Sequence, residues 1–266
     1  MPKLTSRLGH LASEVKAFVA ARATLAPLRA LTASAVDLAF PPAADAEHYP
    51  SGIPSANWSK IRFLADEGCD MCARPFLGGL HFGRDALCSA CAEKPFPFVR
   101  GRAACLYDDA SRGIILGFKH GDRLDYAPML VRWLERAGAD LWPHADAIVP
   151  VPLHVSRLRK RRYNQAAELA RPLARKLRRD YLPDMLIRTR ATKPQANSPE
   201  ARWENVRTAF ALQPGAKVAG RRIVLVDDVF TTGATLRACA RVLLEGGAAQ
   251  VTVAVLARVV SGNPEL

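Results

Sequence analysis

Residues 221–235 read Arg221-Arg222-Ile223-Val224-Leu225-Val226-Asp227-Asp228-Val229-Phe230-Thr231-Thr232-Gly233-Ala234-Thr235. The apolar run from Ile223 to Val226 suits a strand covered on both faces, the form taken by parallel sheets packed between helices. A strand is expected over 221–227, running straight into two adjacent carboxylates. A turn of small hydroxyl residues and glycine follows, and a helix is expected over 234–246. The first turn of a helix presents free backbone N–H groups and a partial positive charge, which together seat an anion. Gly233 lets the backbone approach such an anion closely, and Thr231, Thr232 and Thr235 add hydroxyl donors. Asp227 and Asp228 would repel a phosphate. They match the hydroxyl groups of an attached sugar, or a bound cation. A phosphorylated ribose satisfies both halves of the segment.

Working outward, the flanking segments alternate in period. Strand-like stretches are expected at 103–107, 147–151 and 249–259, and helices at 125–138 and 163–179. Strands alternating with helices imply an α/β fold, a mainly parallel sheet with helices on both faces. At roughly 150 residues per domain, the 266 residues allow one large domain, or a medium one with a small module. Three regions are expected: a helical segment with a Pro-rich arm over 1–66, a small cysteine module over 67–98, and the α/β domain over 99–266. The composition, 49% hydrophobic and 24% charged, is that of a globular chain rather than a disordered one. No apolar window of about 18 residues is free of charge, so no membrane span is expected. The N-terminal stretch lacks the pattern of a secretory signal, and a cytoplasmic location is expected.

Four of the six cysteines are paired by spacing, Cys69-x2-Cys72 and Cys88-x2-Cys91. Each pair makes a tight turn that aims two sulfurs at one point, and two such turns complete a tetrahedral shell for Zn²⁺. A closed shell of four thiolates leaves no position for water, so the metal would be structural. Its binding energy would hold together a module too small to fold on its own core. His81, between the pairs, is expected to be a loop residue. Cys105 and Cys239 are expected to pack as buried apolar groups.

The formal net charge is +13, and it is concentrated: residues 151–208 hold 15 basic against 5 acidic residues. Such a field favours polyanions, whether nucleic acid, polyphosphate or phosphorylated metabolites. Arg157, Arg159, Arg161 and Arg162 crowd the stretch between an expected strand end and the helix that follows. Ligands of open α/β sheets lie beyond the carboxyl ends of the strands, so this loop should face the 227–235 turn. Guanidinium forks match phosphate oxygens, and a pyrophosphate would fit there. Tyr163, Asn164 and Gln165 either cap the next helix or reach the ligand. Aromatic residues do not interleave with the basic run, so no base-stacking platform is visible.

The 221–235 segment resembles the phosphoribosyl-pyrophosphate (PRPP) signature of type I phosphoribosyltransferases. The resemblance implies that Asp227 and Asp228 contact the ribose hydroxyls and that Thr231, Thr232, Gly233, Ala234 and Thr235 wrap the 5′-phosphate. Other segments sharpen it: Pro150-Val151-Pro152-Leu153-His154, Arg157 to Ala166, Arg188-Thr189-Arg190, Lys193-Pro194-Gln195, Arg202 to Val206 and Ala209-Phe210. With the four-cysteine ribbon, their order resembles the ComF family over about residues 67–258. Tyr107, Gly113 and Phe118-Lys119-His120-Gly121 fit as well, with Phe-Lys-His where the family usually has Leu-Lys-Tyr. The long lead-in of residues 1–66 departs from the pattern.

By resemblance the fold is that of a type I phosphoribosyltransferase preceded by a small zinc ribbon. PRPP with Mg²⁺ is the implied ligand, and Tyr163, Asn164 and Gln165 are candidates to line it. Arg157 and Arg159 would serve the pyrophosphate loop, and Lys193 and Gln195 a flexible loop that covers the site. The implied reaction moves a phosphoribosyl group to a nitrogen acceptor, which no motif specifies, and releases pyrophosphate. The alternative implied by the family is a non-catalytic accessory role in DNA uptake, binding single-stranded DNA or competence and recombination proteins.

Overall fold

In the computed structural model the described residues are 59–64, 68–76, 85–120, 123–156, 158, 163–190, 203–204 and 206–260, all within one compact unit, Pro50–Leu266. The expected helical segment and most of the Pro-rich arm lie outside them, as do His81, Arg157, Arg159, Lys193 and Gln195.

Five parallel strands form the sheet in the order β1-β7-β6-β2-β3. They are β1 (Arg100–Leu106), β2 (Ala147–Pro150), β3 (Asp180–Tyr181), β6 (Arg222–Phe230) and β7 (Gln250–Arg258). An antiparallel pair, β4 (Leu186–Arg188) and β5 (Phe210–Leu212), stands apart from it. Among the described residues the α-helices are α1 (Ser89–Glu93), α2 (Asp109–His120), α3 (Ala127–Ala137), α4 (Gln165–Leu177) and α5 (Ala234–Glu245).

Alternation along β6 divides the core. Ile223 and Leu225 pack with α5, the β4–β5 pair and the cysteine module. Val224 and Val226 pack on the other face with α2, α3 and α4. Helices therefore cover both faces, as the apolar run of β6 requires. The cysteine module is part of this packing, since Cys69, Cys72, Cys91 and Phe98 share the buried cluster of α5. A methyl group on Gly101 of β1 would come within 2.6 Å of the Met71 carbonyl oxygen, so that strand edge has no room for a side chain.

Elements that the periodicity misses are the short α1, α2, β3 and the β4–β5 pair. Helix α2 contains Gly113, Gly117 and two adjacent isoleucines, a poor helix former on propensity. It is held by burial: Ile115 and Phe118 are fully enclosed against the sheet. At the end of the arm, Phe63 pairs with Cys105 of β1 and Ile61 is buried, so residues 61–64 lie along the sheet edge. Cys105 and Cys239 are fully buried, and burial pushes the Cys105 thiol up to about 12. Among the described residues no helix is long and apolar enough to cross a membrane.

The connections place the site. β2 leads through α4 outward to β3, and β6 leads through α5 outward to β7 on the other side. The chain thus changes direction between β2 and β6, and the crevice at their carboxyl ends is where such sheets bind ligands.

Candidate ribose-phosphate site and cysteine centre

The strand carrying the acid pair is longer than the sequence suggests. β6 continues through Asp227 and Asp228 to Phe230 because β7 extends its ladder, pairing Asp227 with Val255, Val229 with Ala257 and Phe230 with Arg258. Within a strand, successive side chains point to opposite faces. Asp228 accordingly faces α2, where its Oδ2 lies 2.7 Å from Lys119 Nζ. Asp227 faces the α5 side, where its charge acts on the buried thiol of Cys239. Its Oδ1 accepts a hydrogen bond from the backbone N–H of Asp228 at 2.9 Å.

The two carboxylates differ electrostatically. Asp228 is only 8% exposed and is neutralised by the Lys119 ammonium. Burial pushes the Asp227 carboxyl up to about 7, and the neighbouring Asp228 charge adds to the effect; Lys119 and the Asp228 N–H oppose it. A carboxyl displaced this far by burial and a like charge is a candidate functional group.

Lys119 is the residue that pattern reading did not single out. It lies in the last turn of α2, and two side chains from the start of α4 fix its backbone. Tyr163 donates its hydroxyl to the Phe118 carbonyl at 2.7 Å, and Gln165 Nε2 donates to the Lys119 carbonyl at 3.0 Å. Gln165 is 2% exposed. Asn164 caps α4, its Oδ1 accepting from the Ala166 N–H, while its Nδ2 donates to the Val151 carbonyl beyond β2. The described contacts of Tyr163, Asn164 and Gln165 thus hold the frame around Lys119 and the end of β2. The Phe-Lys-His triplet carried the signal for Lys119, but its distance from the acid pair, more than a hundred residues in sequence, hid the role.

Thr231 to Thr235 follow directly. Thr231 is exposed, and Thr232 Oγ1 accepts from the Ala234 N–H at 3.4 Å. Gly233 caps α5 in the left-handed region with φ of 75°. A β-carbon there would sit 2.6 Å from both the Phe230 and Phe96 rings. Glycine is therefore required twice, for the backbone conformation and for close packing. Trp203 packs against the α5 cluster, with the Arg237 and Arg241 guanidinium groups over its ring.

The four ribbon cysteines converge. Their sulfur atoms all lie within 4.8 Å of one another, and Cys72 and Cys88 are 3.7 Å apart. A tetrahedron with metal–sulfur bonds of about 2.3 Å has an edge of about 3.8 Å, so the residues fit a tetrahedral ion. Thiol hydrogen bonds from Cys72 and then Cys91 draw Cys69 far below the ordinary thiol range, and the donors are pushed up, Cys72 to about 11. One thiolate is favoured at the expense of its neighbours, and a cation would be needed to hold all four sulfurs deprotonated.

The chain is similar to known proteins. A family model for the phosphoribosyl transferase domain matches residues 163–265. The DNA utilization protein YhgH of Escherichia coli is 36% identical over 180 residues, covering 64% of this chain and 77% of that protein. Competence protein F of Haemophilus influenzae is 31% identical over 215 residues, covering 68% and 94%. The chain belongs to the ComF family. Another relative of this ComF-family chain, competence protein ComFC of Bacillus subtilis, is 28% identical over 199 residues, covering 72% and 77%. A solved orotate phosphoribosyltransferase from Aeropyrum pernix is 17% identical over 53% of this chain and 75% of that one, with a TM-score of 0.32, too distant to inform the site.

Proposed function

We propose that this protein binds PRPP at the carboxyl end of β6 and transfers its phosphoribosyl group to a nitrogen acceptor, releasing pyrophosphate. The observation that carries this reading is a single juxtaposition. The Asp227–Asp228 pair lies in the last part of the central strand, the Thr231–Thr235 turn that opens α5 follows the strand end, and Lys119 faces Asp228 from 2.7 Å.

A ligand seated over the end of β6 meets both carboxylates, although they leave the strand on opposite sides. Their oxygens accept hydrogen bonds from the ribose hydroxyls, and N–H groups and hydroxyls of the turn take the 5′-phosphate. Arg157, Arg159, Lys193 and Gln195 are proposed for the pyrophosphate and the covering loop. In the reaction the acceptor nitrogen forms a bond to C1 as the bond from C1 to the pyrophosphate oxygen breaks. The leaving group takes the bonding pair, and the acceptor loses its proton to solvent or to that group. Positive charge develops on the sugar ring and negative charge on the leaving oxygen. The carboxylates stabilise the first. Cationic side chains stabilise the second, and Lys119, beside Asp228, is proposed as one of them.

Mg²⁺ takes oxygen ligands, and carboxylates are the right donors for it. Asp227 and Asp228 would supply part of its shell, with ligand phosphates and water supplying the rest. When bound it would offset the pyrophosphate charge. For the cysteine centre we infer Zn²⁺ in a closed structural site, with the remaining thiols reduced in a cytoplasmic setting.

Calorimetric titration of PRPP with Mg²⁺ into the wild type and an Asp227→Asn/Asp228→Asn variant tests the reading. Micromolar binding that is lost in the variant supports it. No binding by a folded, metal-loaded wild type overturns it.

A second reading, binding of single-stranded DNA, is favoured by the exposed basic side chains of Arg175 and Arg178 on and after α4, beside Arg171 and Lys176, which pair with Glu168 and Glu135. The names of the relatives speak of DNA utilization and competence for those proteins. Affinity for single-stranded DNA that falls steeply with salt, and more gently after charge removal on α4, would support it.

A further inference from the structure

Arg258 ends β7 and joins two parts of the molecule that the proposed reaction treats separately. Its Nε donates to the Cys72 carbonyl at 2.8 Å. Its Nη1 donates to the carbonyls of Thr231 at 2.7 Å and Phe230 at 3.0 Å, and also to that of Val259. The guanidinium carbon, Cζ, lies 4.4 Å from the centre of the Phe230 ring. One fork therefore grips a cysteine knuckle on one side and the first residue of the phosphate turn on the other.

The second knuckle reaches the same turn by a different path. After Cys91 and α1, the chain places Phe96 stacked on Phe98 and edge-on to Phe230. Phe96 is one of the two rings that leave no space at Gly233. Arg237, in the first turn of α5, donates to the Pro95 carbonyl at 3.1 Å and sits 5.0 Å from the Phe96 ring centre. The turn that opens α5 is thus bracketed by both halves of the cysteine centre.

A backbone turn of this kind binds an anion only while its N–H groups converge. The Thr231 carbonyl, held by Arg258, limits rotation of the peptide between Thr231 and Thr232, whose N–H is among those available to a phosphate. The position of the guanidinium depends in turn on the Cys72 carbonyl, whose own residue supplies a sulfur to the cluster.

We propose that Arg258 is a positioning residue that couples metal occupancy of the cysteine centre to the anion affinity of the 231–235 turn. The metal is then more than a fold staple: it sets the shape of a site in another part of the chain. Coupling between two sites is reciprocal, so a phosphoribosyl ligand must tighten metal binding by the factor by which the metal tightens ligand binding. The proposal rests on the PRPP reading given above.

The test uses the full chain loaded with zinc. Zinc affinity is measured by competition with a chromophoric chelator, with and without saturating PRPP and Mg²⁺, in wild type, Arg258→Lys and Arg258→Met. Expected is a gain of about tenfold in zinc retention with PRPP in wild type, within the usual range of coupling between sites. Arg258→Lys should keep part of it, since an ammonium can reach one carbonyl set but not fork between both. Arg258→Met should bring the factor close to one while still binding zinc. Should Arg258→Met fail to fold, Arg258→Lys carries the comparison, with amide hydrogen exchange at Thr231–Gly233 as a second readout. A factor of one in a wild type that binds PRPP overturns the coupling. A factor undiminished in either variant removes Arg258 from it. A wild type that binds no PRPP fails the functional reading first, a result distinct from both.

Discussion

Replacing Asp227 by asparagine should make the folded protein more resistant to rising pH. Burial and the adjacent Asp228 charge hold the Asp227 carboxyl at about 7, against 3.8 for the free group. The folded chain therefore keeps this proton over a range where the unfolded chain has lost it. Folding is helped fully at the acid end, and the help fades as pH rises from about 4 to about 7. Three units of displacement correspond to about 4 kcal/mol between the two limits. Between about pH 5 and pH 8 the linkage relation leaves about 2 to 3 kcal/mol of that change. Contact of the half-buried carboxylate with water will trim it towards the lower figure. Asparagine has a similar shape and does not ionise, so the variant should lack this loss. The assay is urea unfolding of both proteins at several pH values in that window, comparing midpoints at constant slope. The difference in stability between the variant and the wild type should grow with pH and level off above about 7. A difference that stays flat, or that grows only below pH 5, would refute the placement of Asp227 in a low-polarity site beside a second carboxylate.

Removing Lys119 as Lys119→Met leaves Asp228 buried without its ion-pair partner among the described residues, which should cost about 3 kcal/mol at pH 8; the same urea series measures it. That substitution should also push the Asp227 titration above its value in the wild type, since Lys119 now holds it down, and carbon-detected NMR of the carboxyl would report the movement. Gly233→Ala must adopt a φ of 75° and displace the Phe230 and Phe96 rings. A loss of about 1 to 3 kcal/mol in thermal unfolding is expected, together with weaker PRPP binding by calorimetry. Metal analysis of purified protein should find one zinc per chain, and Cys91→Ser should abolish it, because a shell of three sulfurs is no longer closed. If PRPP is the ligand, its affinity should fall as pH drops below about 7, where Asp227 gains a proton and loses its acceptor character for ribose hydroxyls and Mg²⁺.

Much of this protein can be read locally. Strand β6, helix α5 and strand β7 follow from apolar runs that start and stop at charged, glycine or hydroxyl residues within a short window. The cysteine spacing predicts a convergence that the sulfur positions reproduce. Asn164 signals the start of α4 and does cap it. Helix α2 escaped such reading because its propensity is weak and its stability comes from Ile115 and Phe118 lying on a sheet face assembled from distant strands.

The sequence by itself determined which chemical groups are available: an acid pair, a hydroxyl and glycine turn, four paired thiols, and a basic quarter. The tertiary structure decided which of them meet. Asp228 pairs with Lys119 across more than a hundred residues of chain, and Arg258 joins a cysteine knuckle to the 231–235 turn across still more. Local pattern encodes periodicity and turns, because those depend on neighbours in sequence. Ion pairs, burial and the displaced titration of Asp227 depend on neighbours in space, and these exist only once the sheet has brought its strand ends together.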